Sequence, residues 1–154
     1  MRCTMKKIFC TFLVIAVFVS LSGCMASAYE DTNGEDNFSL QTLTDQDIIQ
    51  GTNTTSFMSS TVTLNNKTVC KVQTMSGVDE LFEKRMKNET LDMVVSCEIL
   101  KGNARLVLVI DDKIVHDFAL NENNQQFTLE NVTGKVCLKI AGESTGYSVT
   151  YKVQ

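Results

Sequence analysis

From Leu91 onward the chain is written in a period of two. Leu91, Met93, Val95, Cys97 and Ile99 alternate with Asp92, Ser96 and Glu98, which gives an extended segment one apolar and one polar face. Lys101-Gly102-Asn103 supplies a turn, and Leu106 to Ile110 then runs without a polar residue. Five apolar residues are too few for a buried helix, so the run is expected to be a central strand covered on both faces. After Asp111-Asp112 the alternation resumes at Ile114, His116, Phe118 and Leu120. It continues at Phe127 and Leu129, at Val136, Leu138 and Ile140, and at Tyr147, Val149, Tyr151 and Val153. Turn residues punctuate these runs, and no stretch between them is long and amphipathic enough to cross back as a helix. The fold class expected is all-β: an antiparallel β-sandwich, jelly-roll-like, over residues 61–154.

One segment reads both ways. Val78, Leu81, Phe82 and Met86 have helical spacing behind a Ser76-Gly77-Val78-Asp79 start. Val78, Phe82 and Met86 also alternate as a strand would. The strand is preferred over Val78–Lys87, and the helix is the alternative.

The first residues are an address. Arg2, Lys6 and Lys7 precede an uncharged apolar core from Ile8 to Val19, and small residues follow. These are the parts of a secretory signal. The core is shorter than the ~20 residues a spanning helix prefers. Leu21-Ser22-Gly23-Cys24 resembles the lipobox of bacterial lipoproteins. The resemblance implies a signal peptide over 1–23, cleavage before Cys24, and a lipid carried on the Cys24 thiol. The protein would then sit on the extracytoplasmic face of the cell membrane, held through its lipid anchor. Ala26-Ser27-Ala28 offers a competing cleavage site before Tyr29 that would release a soluble secreted protein, and an uncleaved anchor is the third reading.

Residues 24–60 differ from the rest. They hold Glu30, Asp31, Glu35, Asp36, Asp45 and Asp47 and no Lys or Arg, and much of the remainder is Ser, Thr, Asn, Gln and Gly. One-sided charge and scattered apolar residues predict an acidic, polar tether. The alternative is that Asp47 to Phe57 docks on the domain through Ile48, Ile49 and Phe57. The stretch from Thr74 to Val153 resembles the small secreted β-sandwich domains of uncharacterised Gram-positive lipoproteins. The likeness lies in Ser76-Gly77, Leu100-Lys101-Gly102, Leu106–Ile110 with Asp111-Asp112, and Gly134, Gly142 and Gly146-Tyr147. It implies a fold and brings no catalytic residue with it.

Chemistry is sparse. Of six cysteines, Cys3 and Cys10 fall in the signal and Cys24 is the lipid site. Cys70, Cys97 and Cys137 remain, without C-x-x-C spacing, so zinc and thioredoxin-like sites are not indicated. Whether two of them pair stays open. His116 is the lone histidine, and Asp117 beside it points to the opposite face of a strand. Asp111-Asp112 could bind calcium but sits where a turn wants Asp. Asp31 to Asp36 lacks the spacing of an EF-hand loop. Asn37, Asn53, Asn66, Asn88 and Asn131 begin Asn-x-Ser/Thr triplets, read as a by-product of polar turns. No catalytic residue, metal ligand or cofactor site is assigned. The chain carries a formal net charge of −4 without a basic patch interleaved with aromatics, so nucleic acid is not an expected partner. The function expected is a non-catalytic binding or structural module of the cell envelope, with a protein or carbohydrate partner. A small hydrolase using paired carboxylates is the alternative.

Overall fold

A computed structural model describes residues 43–154. Cys24, the signal segment and the tether as far as residue 42 lie outside the described residues. Helix α1 (Asp45–Gln50) is followed by four extended elements, β1 (Thr54–Leu64), β2 (Lys67–Ile110), β3 (Lys113–Phe118) and β4 (Glu122–Val153). All pairing is antiparallel. The all-β expectation and the strand reading of Val78–Lys87 both hold.

β2 and β4 are ribbons that pass repeatedly between two layers. In the first layer the order is β1, residues 67–72 of β2, residues 147–153 of β4, residues 93–99 of β2 and the start of β4. In the second it is residues 78–87 of β2, residues 132–141 of β4, residues 104–110 of β2, and β3. The crossings fall where the backbone turns left-handed: Gly77 (φ 111°), Asn88 (55°) and Gly102 (73°) in β2, Asn131 (56°) and Ser144 (46°) in β4. Glycine and asparagine tolerate that region best, so these residues mark where a strand leaves one layer for the other. Asn66, at φ 61°, closes the β1–β2 hairpin. Three of the Asn-x-Ser/Thr triplets therefore begin at residues that a backbone bend requires. At Gly77 a Cβ would also strike the carbonyl oxygen of Asn53, so no other residue fits there without a shift.

The facing sides of the layers form one core. Cys70, Val72, Val95, Cys97, Tyr147, Val149 and Tyr151 from the first pack with Met86, Leu106, Leu108, Val136, Leu138 and Ile140 from the second. Leu106 to Val109 are all buried, and this stretch lies between β3 and β4, so the apolar run is the central strand expected.

The tether boundary needs correction. Residues 43–60 are part of the fold. Thr44 caps α1 in a capping box with Asp47: the Asp47 amide donates to Thr44 Oγ1 (3.2 Å), and the Thr44 amide donates to Asp47 Oδ2 (2.8 Å). The helix sets Ile48, 2% exposed, onto Val78, Val107, Val109, Cys137 and Ala141. These residues form the outer face of the second layer, so that layer is buried on both sides. β1 then pairs along its length with β2. Docking through Ile48 and Ile49 was the alternative reading, and it is the one realised, whereas Phe57 stays exposed.

Candidate binding surfaces

The residues singled out for chemistry are placed apart and occupied. His116 lies between the rings of Phe118 and Phe127, with centroids 4.7 Å from each. Asp117 faces away from it and takes the fork of Arg105, whose Nε donates at 2.6 Å, and Arg105 also reaches Asp45 at the start of α1. Asp111 is a turn clamp. Its amide donates to the Lys135 carbonyl and its Oδ1 accepts from the Lys135 amide, both at 2.8 Å, and its carboxylate fills the space a Cβ on Gly134 would need. Cys70, Cys97 and Cys137 are free and buried. Burial pushes the Cys97 and Cys137 thiols up to about 11 and raises Cys70 as well, so none is poised as a thiolate nucleophile.

Sequence spacing gave no sign of one cluster. On the outer face of the second layer Glu80, Glu83 and Cys137 bring their ligand atoms within 4.8 Å of one another. Lys135 Nζ stands 3.0 Å from Glu83 and 3.7 Å from Glu80, and Lys139 Nζ stands 3.9 Å from Glu80. Lys135 holds the Glu83 carboxyl below its ordinary range. Two ammonium groups already supply the positive charge a cation would bring, so the group reads as an ion-pair network. Lys139, 4% exposed, donates to the carbonyls of Ile49 (2.7 Å) and Gly51 (3.0 Å) at the end of α1. Those carbonyls carry the negative end of the short helix, so the lysine fastens α1 to the sheet.

The tyrosines are in the core. Tyr147 OH donates to Asp79 Oδ2 at 2.9 Å and Tyr151 OH donates to the Leu81 carbonyl at 2.6 Å, so neither offers a ring to a sugar. Burial, ahead of the Asp79 charge, raises the Tyr147 phenol.

Among the described residues no helix lies on the outer face of the first layer. Cross-strand register lines up Val62 and Leu64 of β1, Lys67, Val69 and Lys71 of β2, Ser148, Thr150 and Lys152 of β4, and Val94 and Ser96 of β2. Between these strands and Asn124 lies a cleft of about 240 Å³, whose lining includes Lys67, Lys152, Ser96, Thr150, Tyr151 and Gln154. Beside it runs β1, exposed along its length, with Phe57, Met58, Val62 and Leu64 all largely in solvent. Among the described residues no helix is long and apolar enough to cross a membrane.

No family model matches the chain, and no match was found among curated proteins. Among solved structures, a crystal structure of a cupin domain from Bordetella pertussis Tohama I aligns over 63% of this chain and 92% of its own length, at 13% identity and a TM-score of 0.33. A likeness that faint carries no argument about fold or function, and the architecture rests on the strand pairing described above.

Proposed function

We propose that the protein is a lipid-anchored, extracytoplasmic binding module of the cell envelope without catalytic activity. Cys24 carries the anchor, and the outer face of the first layer is the surface presented to a partner. One observation carries the binding half. Among the described residues, one of the two sheet layers has its outer face covered by α1, and the other presents a lysine-bearing face with a cleft. The lipobox at Leu21–Cys24 and the apolar segment before it support the anchoring half. Three buried thiols held protonated, a histidine between two phenylalanines and an Asp111 committed to a turn favour binding over catalysis.

Metabolic labelling with palmitate and membrane fractionation test the anchor. The wild type should be labelled and membrane-bound, and Cys24→Ser should be neither. A mature protein beginning at Tyr29 without lipid would overturn it. For the face, the purified chain should co-sediment with isolated envelope material and Lys71→Glu should reduce this. Equal sedimentation of the two would move the contact elsewhere.

A further inference from the structure

Lys67 and Lys152 stand directly opposite each other across neighbouring strands. Like charges in that position oppose pairing, because the Cβ atoms are only about 5 Å apart. The chain has more acids than bases, 18 against 14, so a carboxylate could have stood at either position. Among the described residues Lys84, Arg105, Lys135 and Lys139 form ion pairs, while Lys71, Arg85, Lys87, Lys101 and Lys113 stand without one, so what sets Lys67 and Lys152 apart is that they face each other. Neither Lys67 nor Lys152 forms an ion pair among the described residues. Asp92, two residues along β2 from the Val94 that pairs with Lys152, accepts from the Thr128 hydroxyl at 3.3 Å.

This facing pair opens onto the cleft, whose lining also takes in Ser96, Asn124, Thr150, Val94, Tyr151 and Gln154. Ser96 Oγ accepts from the Asn124 amide at 2.9 Å, which leaves its own proton free to donate. Thr150 and the Asn124 side chain add two further donors to the lining, and Val94 supplies an apolar patch. A compact ammonium acts as a point charge and suits a phosphate, whereas a planar carboxylate is better served by the fork of an arginine, which the cleft lacks. At about 240 Å³ the cleft is smaller than the roughly 300–1,000 Å³ of sites for larger ligands, so it fits one charged group and a short carrier.

We propose that the cleft between Lys67 and Lys152 binds a phosphate-type oxyanion carried on a small polar group. This deepens the binding reading above and rests on it for its cellular meaning. The anion neutralises the opposed lysines, and the hydroxyl and amide donors take its remaining oxygens.

The test is calorimetric titration of the full chain in detergent with inorganic phosphate, glycerol phosphate and acetate. Glycerol phosphate or phosphate should bind and acetate should not. Lys67→Gln and Lys152→Gln should each weaken binding about tenfold, and Lys113→Gln, on the other layer, should not. Added salt should weaken it too, because the lysines are partly in solvent. Tighter binding of glycerol phosphate identifies a polyol phosphate as the source, and tighter binding of the inorganic ion identifies free phosphate. Absence of binding, equal binding of acetate, or affinity unchanged in both cleft variants would overturn the assignment. Fractionating cells that carry the same variants separates the two failures. An anchored protein with no phosphate affinity sinks only this inference, whereas a wild type that is not membrane-bound sinks the anchored-module reading and leaves the titration standing.

Discussion

The two outer faces of the sandwich start from the same rule and end differently. In both layers every second residue turns away from the core. In the second layer those residues are Val78, Val107, Val109, Cys137 and Ala141, with α1 lying across them, and beside them the Glu80, Glu83, Lys135 and Lys139 ion pairs. In the first they are mostly Ser148, Thr150, Ser96, Lys67, Lys71 and Lys152, with Val62, Leu64, Val69 and Val94 among them. Alternation therefore tells which residues leave the core, and their chemistry tells whether something else covers them. Where outward positions are apolar, a layer is waiting for a lid. Where they are hydroxyls and ammoniums, it is finished, or built for a polar partner.

The largest effect should come from the strand that both sides of the second layer depend on. Leu108 is fully buried in the inner core, while its neighbours Val107 and Val109 face α1. Leu108→Ala should cost about 2–5 kcal/mol, read as a shift in urea midpoint. Domains commonly have only about 5–15 kcal/mol in hand, so the variant should be badly destabilised at physiological temperature. A loss under about 0.5 kcal/mol, the range of surface substitutions, would mean that the run is not central.

Next comes the lid. Ile48→Ala should cost about 2–3 kcal/mol, the lower part of the range for such truncations, because a helix of six residues can settle toward the hole. Deleting residues 25–56 should cost more, since it uncovers Val107, Val109 and Ala141 and leaves Lys139 without the Ile49 and Gly51 carbonyls. A deletion variant that melts like the full chain would return these residues to the status of a tether and erase the contrast between the faces.

That lid was the part hardest to read from sequence. The strands from Leu91 onward were legible because most repeat their period over five or more residues and end in a turn, whereas β1, exposed along its length, and its partner residues 67–72 were not read. α1 buries a single side chain fully, so it has no period to detect. Its signal was the Thr44-x-x-Asp47 capping box ahead of Ile48-Ile49, four residues wide and set in acidic, polar surroundings. The misreading propagated. Cys137, Lys139 and Ala141 look like the solvent side of an alternating strand, and all three are buried because the lid is there. Lys67 and Lys152 meet across strands joined by most of the domain, a contact that local spacing cannot announce. The Glu80, Glu83 and Cys137 group is hidden for the same reason.

Alkaline titration reads the lid chemically. The Cys137 thiol lies under α1 and Cys97 lies in the inner core, and burial raises both from 9.0 to about 11. Between those values the native state keeps protons that the unfolded chain releases, so stability is whole below about pH 9 and falls as pH rises toward 11. The loss should reach about 1–2 kcal/mol after solvent screening is allowed for. Urea midpoints at several pH values measure it, and a Cys97→Ala, Cys137→Ala double variant should flatten the slope. A slope unchanged in that variant would mean that the thiols are not held neutral by burial, with Tyr147 and Tyr151 then carrying the pH dependence.

The smallest effect belongs to the bare face. Val62 on β1 is 62% exposed and Leu64 beside it 71%. Val62→Thr keeps the branched side chain that a strand favours and removes only apolar surface, so it should change stability by less than about 0.5 kcal/mol. The measurement is a pair of urea melts at low and high protein concentration. A midpoint that rises with concentration in the wild type and not in the variant would show that β1 is covered by another copy, since association stabilises by mass action. An 11-residue edge strand without a single charge or proline is the kind of edge on which that could happen. Equal midpoints at both concentrations would leave the first layer open, with its cleft accessible, and the contrast between the two faces would stand in solution.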